Sequence, residues 1–538
     1  MGPLARKIVT EQCSRSLSAL LPRLWTPPWG LQQRRAASSS AAGLDGCGDE
    51  HQRLLDALSG SAKMIPVKGD HVSLLHTPGD FYEAIKEGIR NSRRRVVMAS
   101  LYIGTGKLEA ELLDVVADAL VENPALRVTM LFDALRATRP THGSADCFTS
   151  SAAMLSSLLL SKSAKWRQRK SFEDGERLKV SLYRTPDLTK TLQWLLPARV
   201  NEVVGVCHLK AFVFDDDVLM TGANMSSSYF TDRQDRYIWF RNSPSLANHF
   251  SSLIDVVSSY SFSLGSDEKL LPKKVFDTKD RDGFCAQMGS SVQGLMDAPP
   301  AEVNTAEKEK ENEEDWDTFC FPTIQMGPLG IRQDEDCTVA LLKGLPSGTL
   351  LQLASPYFNL TPDYEDVLLE VAEQNIVEIL TASPKANGFY GSAGISGLIP
   401  RAYSLLEQNL YERSRHRDVA LQGKDSYDLK NGLSIYEYER SGWTFHAKGL
   451  WCTLPGDIHG PSVTLVGSSN FGYRSRDRDL EAQVFLMTSN PRLRGQLKFE
   501  RDALFSRAVK VNSSSFLDAE RAGGYVAAKA SQMVRSWL

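Results

Sequence analysis

The run Cys207-His208-Leu209-Lys210-Ala211-Phe212-Val213-Phe214-Asp215-Asp216-Asp217, continued by Val218-Leu219-Met220-Thr221-Gly222-Ala223-Asn224, decides how the chain folds. Apolar residues on both sides of consecutive aspartates describe a β-hairpin with an acidic turn. Side chains of an extended strand alternate between its faces. His208 and Lys210 therefore share a face, and Cys207 takes the other. The returning strand carries Gly222 and Asn224 back to the same end, and Asp235 follows further on.

A lone His-x-Lys pair would be an ordinary strand pair. This one has a second copy: His446-Ala447-Lys448-Gly449-Leu450-Trp451-Cys452-Thr453 and, after a longer turn through Pro455-Gly456 and Gly460-Pro461, Val463-Thr464-Leu465-Val466-Gly467-Ser468-Ser469-Asn470. The acid that follows Asn224, Asp235, has its counterpart at the same interval in Glu481 after Asn470. The surroundings repeat as well. Strand, helix and strand patterns at 96–102, 108–121 and 128–132 recur at 350–357, 364–374 and 377–381, and each first strand ends in Ala-Ser-x-Tyr, at Ala99–Tyr102 and Ala354–Tyr357. An α/β unit used twice is the economical explanation.

These residues resemble the His-x-Lys-x4-Asp-x6-Gly-x-Asn signature of the phospholipase D superfamily. The first copy is complete. The second has Thr453 in place of the aspartate, which leaves the halves chemically unequal. The resemblance implies two phospholipase D-like α/β domains, each a mixed sheet flanked by helices. They would be related by a pseudo-twofold axis, with one active site at their interface. Residues 44–262 and 327–538 would form the domains, and 263–326, with its Pro299-Pro300 and the charged run Glu302–Asp317, a linker, insertion or solvated helix.

The resemblance also assigns roles. His208, Lys210, Asp215, His446 and Lys448 form the catalytic set, Asn224 and Asn470 contact phosphate, and Asp235 and Glu481 orient the imidazoles. Asp215 falls at the hairpin turn, so holding that turn is its expected part. The residue types suit phosphodiester chemistry: fixed cations neutralise the non-bridging oxygens, and an imidazole can attack phosphorus and leave again near neutral pH. No carboxylate cluster suited to magnesium accompanies the motifs, so no metal or other cofactor is expected. The chain layout resembles superfamily members that transfer a phosphatidyl group from CDP-diacylglycerol to glycerol 3-phosphate. That implies a phosphatidyl-histidine on His208, release of CMP, and His446 as base for the acceptor hydroxyl. The competing expectations are a hydrolase or phosphodiesterase using the same motifs and a catalytically dead scaffold.

Residues 1–43 carry Arg6, Lys7, Arg15, Arg23, Arg34 and Arg35 against one acid, Glu11, among serines, alanines and leucines. That is the makeup of a mitochondrial transit peptide, the alternative being a basic tail that targets nothing. The eight cysteines form no Cys-x-x-Cys pair, which fits reduced thiols in a non-secretory compartment. A net charge of −3 lacks the basic surplus of a protein that grips nucleic acid, and no obligate protein partner is indicated. No apolar run is long enough to span a bilayer, so a lipid substrate implies peripheral work at an anionic membrane surface, expected on the matrix side of the inner membrane. Lys165–Lys170 and Leu192–Leu196 combine basic charge with tryptophan and suit such contact as well as they suit a solvated loop and a core strand. Gly104-Thr105-Gly106-Lys107 lies between strand and helix. It reads as a simple turn, with contact to a nucleotide phosphate as a minor expectation.

Overall fold

The computed structural model describes residues 49–141, 148–160, 177–188, 201–273, 280–298, 316–392, 397, 399–422, 431–518 and 521. The leader, Lys165–Lys170, Leu192–Leu196 and nearly all of Glu302–Asp317 lie outside the described residues.

Among the described residues the first half builds a nine-stranded sheet in the order Leu270–Leu271, Phe262–Leu264, Leu178–Tyr183, Arg127–Asp133, Arg95–Ala99, Ala211–Phe214, Asp217–Thr221, Tyr237–Phe240, Val72–Leu75. Arg95–Ala99, Arg127–Asp133 and Leu178–Tyr183 are parallel neighbours, as strands joined by helical crossovers must be, whereas the His-x-Lys hairpin and its neighbours are antiparallel. The helix Lys107–Glu122 makes the first crossover and buries Leu112, Leu113, Val116 and Leu120 against the sheet, the i, i+4 stripe of an amphipathic helix.

Among the described residues the second sheet has ten strands and repeats this order. Gly432–Tyr438, Ile376–Ala382 and Leu350–Ala354 are parallel, followed by antiparallel Gly449–Thr453, Val463–Gly467, Leu480–Thr488 and Thr318–Met326. Mixed sheets flanked by helices, used twice, are the α/β architecture expected from the repeated motif.

The segment 263–326 is more than a connector. Thr318–Met326 is buried along its whole length and pairs residue for residue with Leu480–Thr488, while Ile65–Val67 from the start of the chain adds to its other edge. The helix Arg281–Asp297 buries Phe284, Cys285, Met288 and Val292. Neither element shows in the sequence as a clean period. The strand is covered on both faces and so lacks alternation, and the helix buries only a sparse stripe beside a long charged run.

One apolar cluster crosses between the halves, joining Cys207, Leu209 and Met220 to Phe445, Ala447, Val466 and Leu480. The seam is core, and the two motifs meet inside it.

Candidate active site

Each His-x-Lys segment lies just ahead of its hairpin strand, before Ala211–Phe214 in one half and Gly449–Thr453 in the other. The backbone there pairs across the seam. Cys207 bridges in parallel to Leu480, with the His208 N–H donating to Leu480 O at 2.9 Å and the Leu480 N–H to Val206 O at 2.9 Å. In the other half Thr444–Phe445 pairs in parallel with Arg233–Gln234, and the His446 N–H donates to Gln234 O at 2.7 Å. Each motif is thus stitched to the residues just before the other half's carboxylate.

The orienting pairs are therefore crossed. His208 Nδ1 lies 2.9 and 3.0 Å from the two carboxylate oxygens of Glu481, and His446 Nδ1 lies 2.7 Å from Asp235 Oδ2. A carboxylate accepting the Nδ1–H fixes the tautomer that leaves the lone pair on Nε2. Among the described residues nothing hydrogen-bonds to His208 Nε2, whereas His446 Nε2 lies 3.2 Å from the Tyr229 hydroxyl. Ser475 Oγ donates to Glu481 at 2.8 Å and steadies that carboxylate.

The lysines close the site. Lys210 Nζ donates to His208 O at 3.0 Å, and Lys448 Nζ donates to His446 O at 3.2 Å while lying 2.9 Å from the His446 ring. Burial pushes both imidazoles well below the usual histidine range, with Lys210 and Lys448 adding to the effect, so both rings are held neutral. Burial also brings Lys210 down to about 7 and Lys448 to about 8, and raises Asp235 to about 6. The charges of both lysines act on both carboxylates, so the two motifs form one electrostatic cluster.

Asn224 Nδ2 donates to the Tyr229 hydroxyl at 3.0 Å, while the buried Oδ1 atoms of Asn224 and Asn470 have no partner among the described residues. Buried amide atoms left open in an otherwise satisfied site are what a polar ligand would fill. Gly222 is required by packing: a Cβ there would lie 2.8 Å from Asp235 Oδ1 and 3.2 Å from Gly467 O across the seam.

Two expected site groups are not brought to this cluster. Asp215 sits at the far end of its strand, with φ of 52°, and its carboxylate accepts the N–H groups of Arg93, Arg94 and Arg95 at 2.7–2.9 Å. It holds the hairpin against the neighbouring strand and touches no reacting group. In the second half, where Thr453 replaces it, Asp457 accepts the Leu454 N–H at 3.0 Å and ion-pairs with Arg494 at 2.6 Å.

At Gly104–Lys107 the space beside the backbone is taken by the buried carboxylate of Glu109, 2.8 Å from Ser227 Oγ. A Cβ on Gly106 would lie 2.8 Å from Glu109 Oε2. An acid at that spot repels a nucleotide phosphate and leaves the turn structural.

Sequence reasoning missed Tyr229, Arg233, Arg236, Arg474, Ser475 and Asp479, all lying near or between each asparagine and its acid. Arg236, 1 % exposed, crosses the seam to Glu500 at 2.8 Å and stacks 3.9 Å above the Trp451 ring. No periodicity marks these positions; only their place between two motif residues could have drawn attention to them. His208, Asp479 and Glu481 offer ligand atoms within 4.8 Å of one another. Those donors are engaged, Asp479 with Arg474 at 2.9 Å and Glu481 with Ser475 and His208, as in an ion-pair network.

No family model matches the chain. Curated relatives do. The probable CDP-diacylglycerol–glycerol-3-phosphate 3-phosphatidyltransferase of Dictyostelium discoideum is 35% identical over 472 residues, 85% of this chain and 76% of that protein. The mitochondrial enzyme of that name from Homo sapiens is 37% identical over 475 residues, 84% of this chain and 80% of its own. The Saccharomyces cerevisiae enzyme is 32% identical over 472 residues, 83% and 84%. Among solved structures, the phosphatidylserine synthase of Haemophilus influenzae Rd KW20 matches with a TM-score of 0.66 at 19% identity. That match covers 91% of this chain and 100% of that one, a likeness of fold.

Proposed function

The chain belongs to the CDP-diacylglycerol–glycerol-3-phosphate 3-phosphatidyltransferase family, and on that premise we propose that it transfers the phosphatidyl group of CDP-diacylglycerol to glycerol 3-phosphate, giving phosphatidylglycerophosphate and CMP. The observation that carries the mechanism is the crossed pair of histidine–carboxylate bonds, which brings one nucleophile and one base to a single buried cationic cluster.

His208 Nε2 attacks the lipid-bearing phosphorus. A P–N bond forms, the P–O bond to CMP breaks, and CMP departs with that electron pair. As a phosphate monoester with a second pKa of about 6, CMP needs little protonation to leave. Glu481 stabilises the positive charge that builds on the ring, and Lys210 and Lys448 neutralise the non-bridging oxygens, helped by the Asn224 and Asn470 amides. His446 Nε2 then takes the proton from the primary hydroxyl of glycerol 3-phosphate, whose oxygen attacks phosphorus as the P–N bond breaks and returns neutral His208. Asp235 stabilises the resulting imidazolium, which gives its proton to solvent.

Purified protein incubated with both substrates should release CMP and phosphatidylglycerophosphate in step. CMP with phosphatidic acid alone would mean hydrolysis, and full activity in His208→Ala would mean that the motifs are not catalytic. The basic leader composition and the mitochondrial names of relatives support a mitochondrial address, to which the proposal adds peripheral placement on the matrix side. Among the described residues no helix is long and apolar enough to cross a membrane. Release of the protein from mitochondrial membranes by alkaline carbonate checks the peripheral placement.

A further inference from the structure

Arg233 and Arg474 lie between an asparagine and its acid, Arg236 directly follows Asp235, and the three differ in what neutralises them. Arg236 is paired with Glu500 at 2.8 Å, and Arg474 with Asp479 at 2.9 Å. Arg233 has no carboxylate partner among the described residues. Its Nε donates to Thr444 Oγ1 at 2.9 Å, its Nη1 donates to the Tyr229 hydroxyl at 3.2 Å, and its guanidinium lies 4.7 Å from the Tyr229 ring centre. In the register set by the two carboxylates, the place of Arg233 in the second half is taken by Asp479, the acid that neutralises Arg474. The repeat has therefore kept an internal counter-charge beside His208 and left an open cation beside His446.

A half-buried guanidinium without a counter-ion is costly to hold, and a ligand anion removes that cost. One nitrogen of the guanidinium is uncommitted. Arg233 Nη2 donates no hydrogen bond among the described residues, and Gly388 packs beside it, where a Cβ would lie 3.6 Å from both Nη2 and the Tyr357 hydroxyl. The Tyr357 ring stands edge-on to His446, with ring centres 5.8 Å apart, and the Tyr229 hydroxyl reaches His446 Nε2 at 3.2 Å. The open cation and two phenol hydroxyls thus surround the ring expected to act as base.

We propose that Arg233, with the Tyr229 and Tyr357 hydroxyls, forms the subsite for the phosphate of glycerol 3-phosphate. The proposal rests on the transferase function above and adds which residues select its acceptor. A planar guanidinium suits two oxygens of a phosphate monoester. The acceptor's reacting hydroxyl and its phosphate are three carbons apart, so a phosphate held at Arg233 presents that hydroxyl to the adjacent His446. The subsite would select phosphorylated glycerol over glycerol.

The test is acceptor preference, the ratio of kcat/KM for glycerol 3-phosphate to that for glycerol, measured on one preparation so that partial misfolding cancels. Arg233→Gln should lower the ratio about 10- to 100-fold, as expected for losing a charged hydrogen bond. Gly388→Ala adds a methyl at ordinary contact distance from Nη2 without displacing Arg233, so it should raise KM for glycerol 3-phosphate and decides the matter if Arg233→Gln proves inert. An unchanged ratio in the active variants would overturn the proposal. A rise confined to KM for CDP-diacylglycerol would also overturn it, by giving the cation to the diphosphate. CMP exchange into CDP-diacylglycerol by the wild-type protein needs no acceptor; its absence would sink the phosphatidyl-histidine mechanism and leave the acceptor ratio to be judged separately.

Discussion

The crossed wiring of the carboxylates makes a prediction that chain order alone would reverse. Glu481 belongs to the half that carries His446, yet its carboxylate holds His208 at 2.9 and 3.0 Å, and Asp235 holds His446 at 2.7 Å. In Glu481→Gln the new amide is fully buried, and Ser475 Oγ, 2.8 Å away, satisfies its oxygen. The amide nitrogen then donates to His208 Nδ1, the ring takes the other tautomer, and Nε2 carries a proton in place of its lone pair. Losing the correct tautomer in this way costs about 10³- to 10⁴-fold, or roughly 4–5.5 kcal/mol of barrier.

The two variants should fail at different steps. Exchange of labelled CMP into CDP-diacylglycerol reports the first transfer, which uses His208 alone, and phosphatidylglycerophosphate formation reports both. Glu481→Gln should lose both reactions by that factor. Asp235→Asn should lose synthesis by a similar factor while exchange falls less than about tenfold, since CMP needs little base assistance. Loss of exchange in Asp235→Asn with survival in Glu481→Gln would refute the crossed assignment.

The pH profile of kcat/KM should be set by neutral imidazoles, an ionised Asp235 and protonated lysines. Burial keeps the histidines neutral below pH 6.5, but it also raises Asp235 to about 6, so the acid limb should be set by that carboxylate and activity should fall as pH drops through about 6. Burial depresses Lys210 to about 7 and Lys448 to about 8, so the cations are present below those values and activity should fall as pH rises through 7–8. Asp215→Ala should lower the melting temperature, through loss of the carboxylate that accepts three backbone N–H groups, about 1–3 kcal/mol, while kcat of the folded protein stays near wild type. Gly449→Ala should not give folded protein in quantity: φ is +122° and the added Cβ would lie 1.9 Å from Leu465 O, which a yield and thermal melt comparison checks.

Sequence alone was enough for the repeated α/β unit. Its strands and helix have local periods, and the helix expected at 108–121 forms as Lys107–Glu122 and that at 364–374 as Pro362–Val371. The paired His, Lys, Asn and acid residues were legible because each recurs at fixed spacing near the end of a strand. Three things were not. Thr318–Met326 escaped notice because a strand buried on both faces has no alternation. The structural role of Glu109 beneath the Gly104–Lys107 turn depends on where Ser227 arrives from elsewhere in the chain. Which carboxylate serves which histidine, and which arginine is left without an acid, depend on parallel pairing between segments more than 200 residues apart. Spacing along a chain specifies what each segment can carry. Only the backbone bonds across the seam decide which side chains face one another, because register between distant strands is set by tertiary packing and leaves no local period to read.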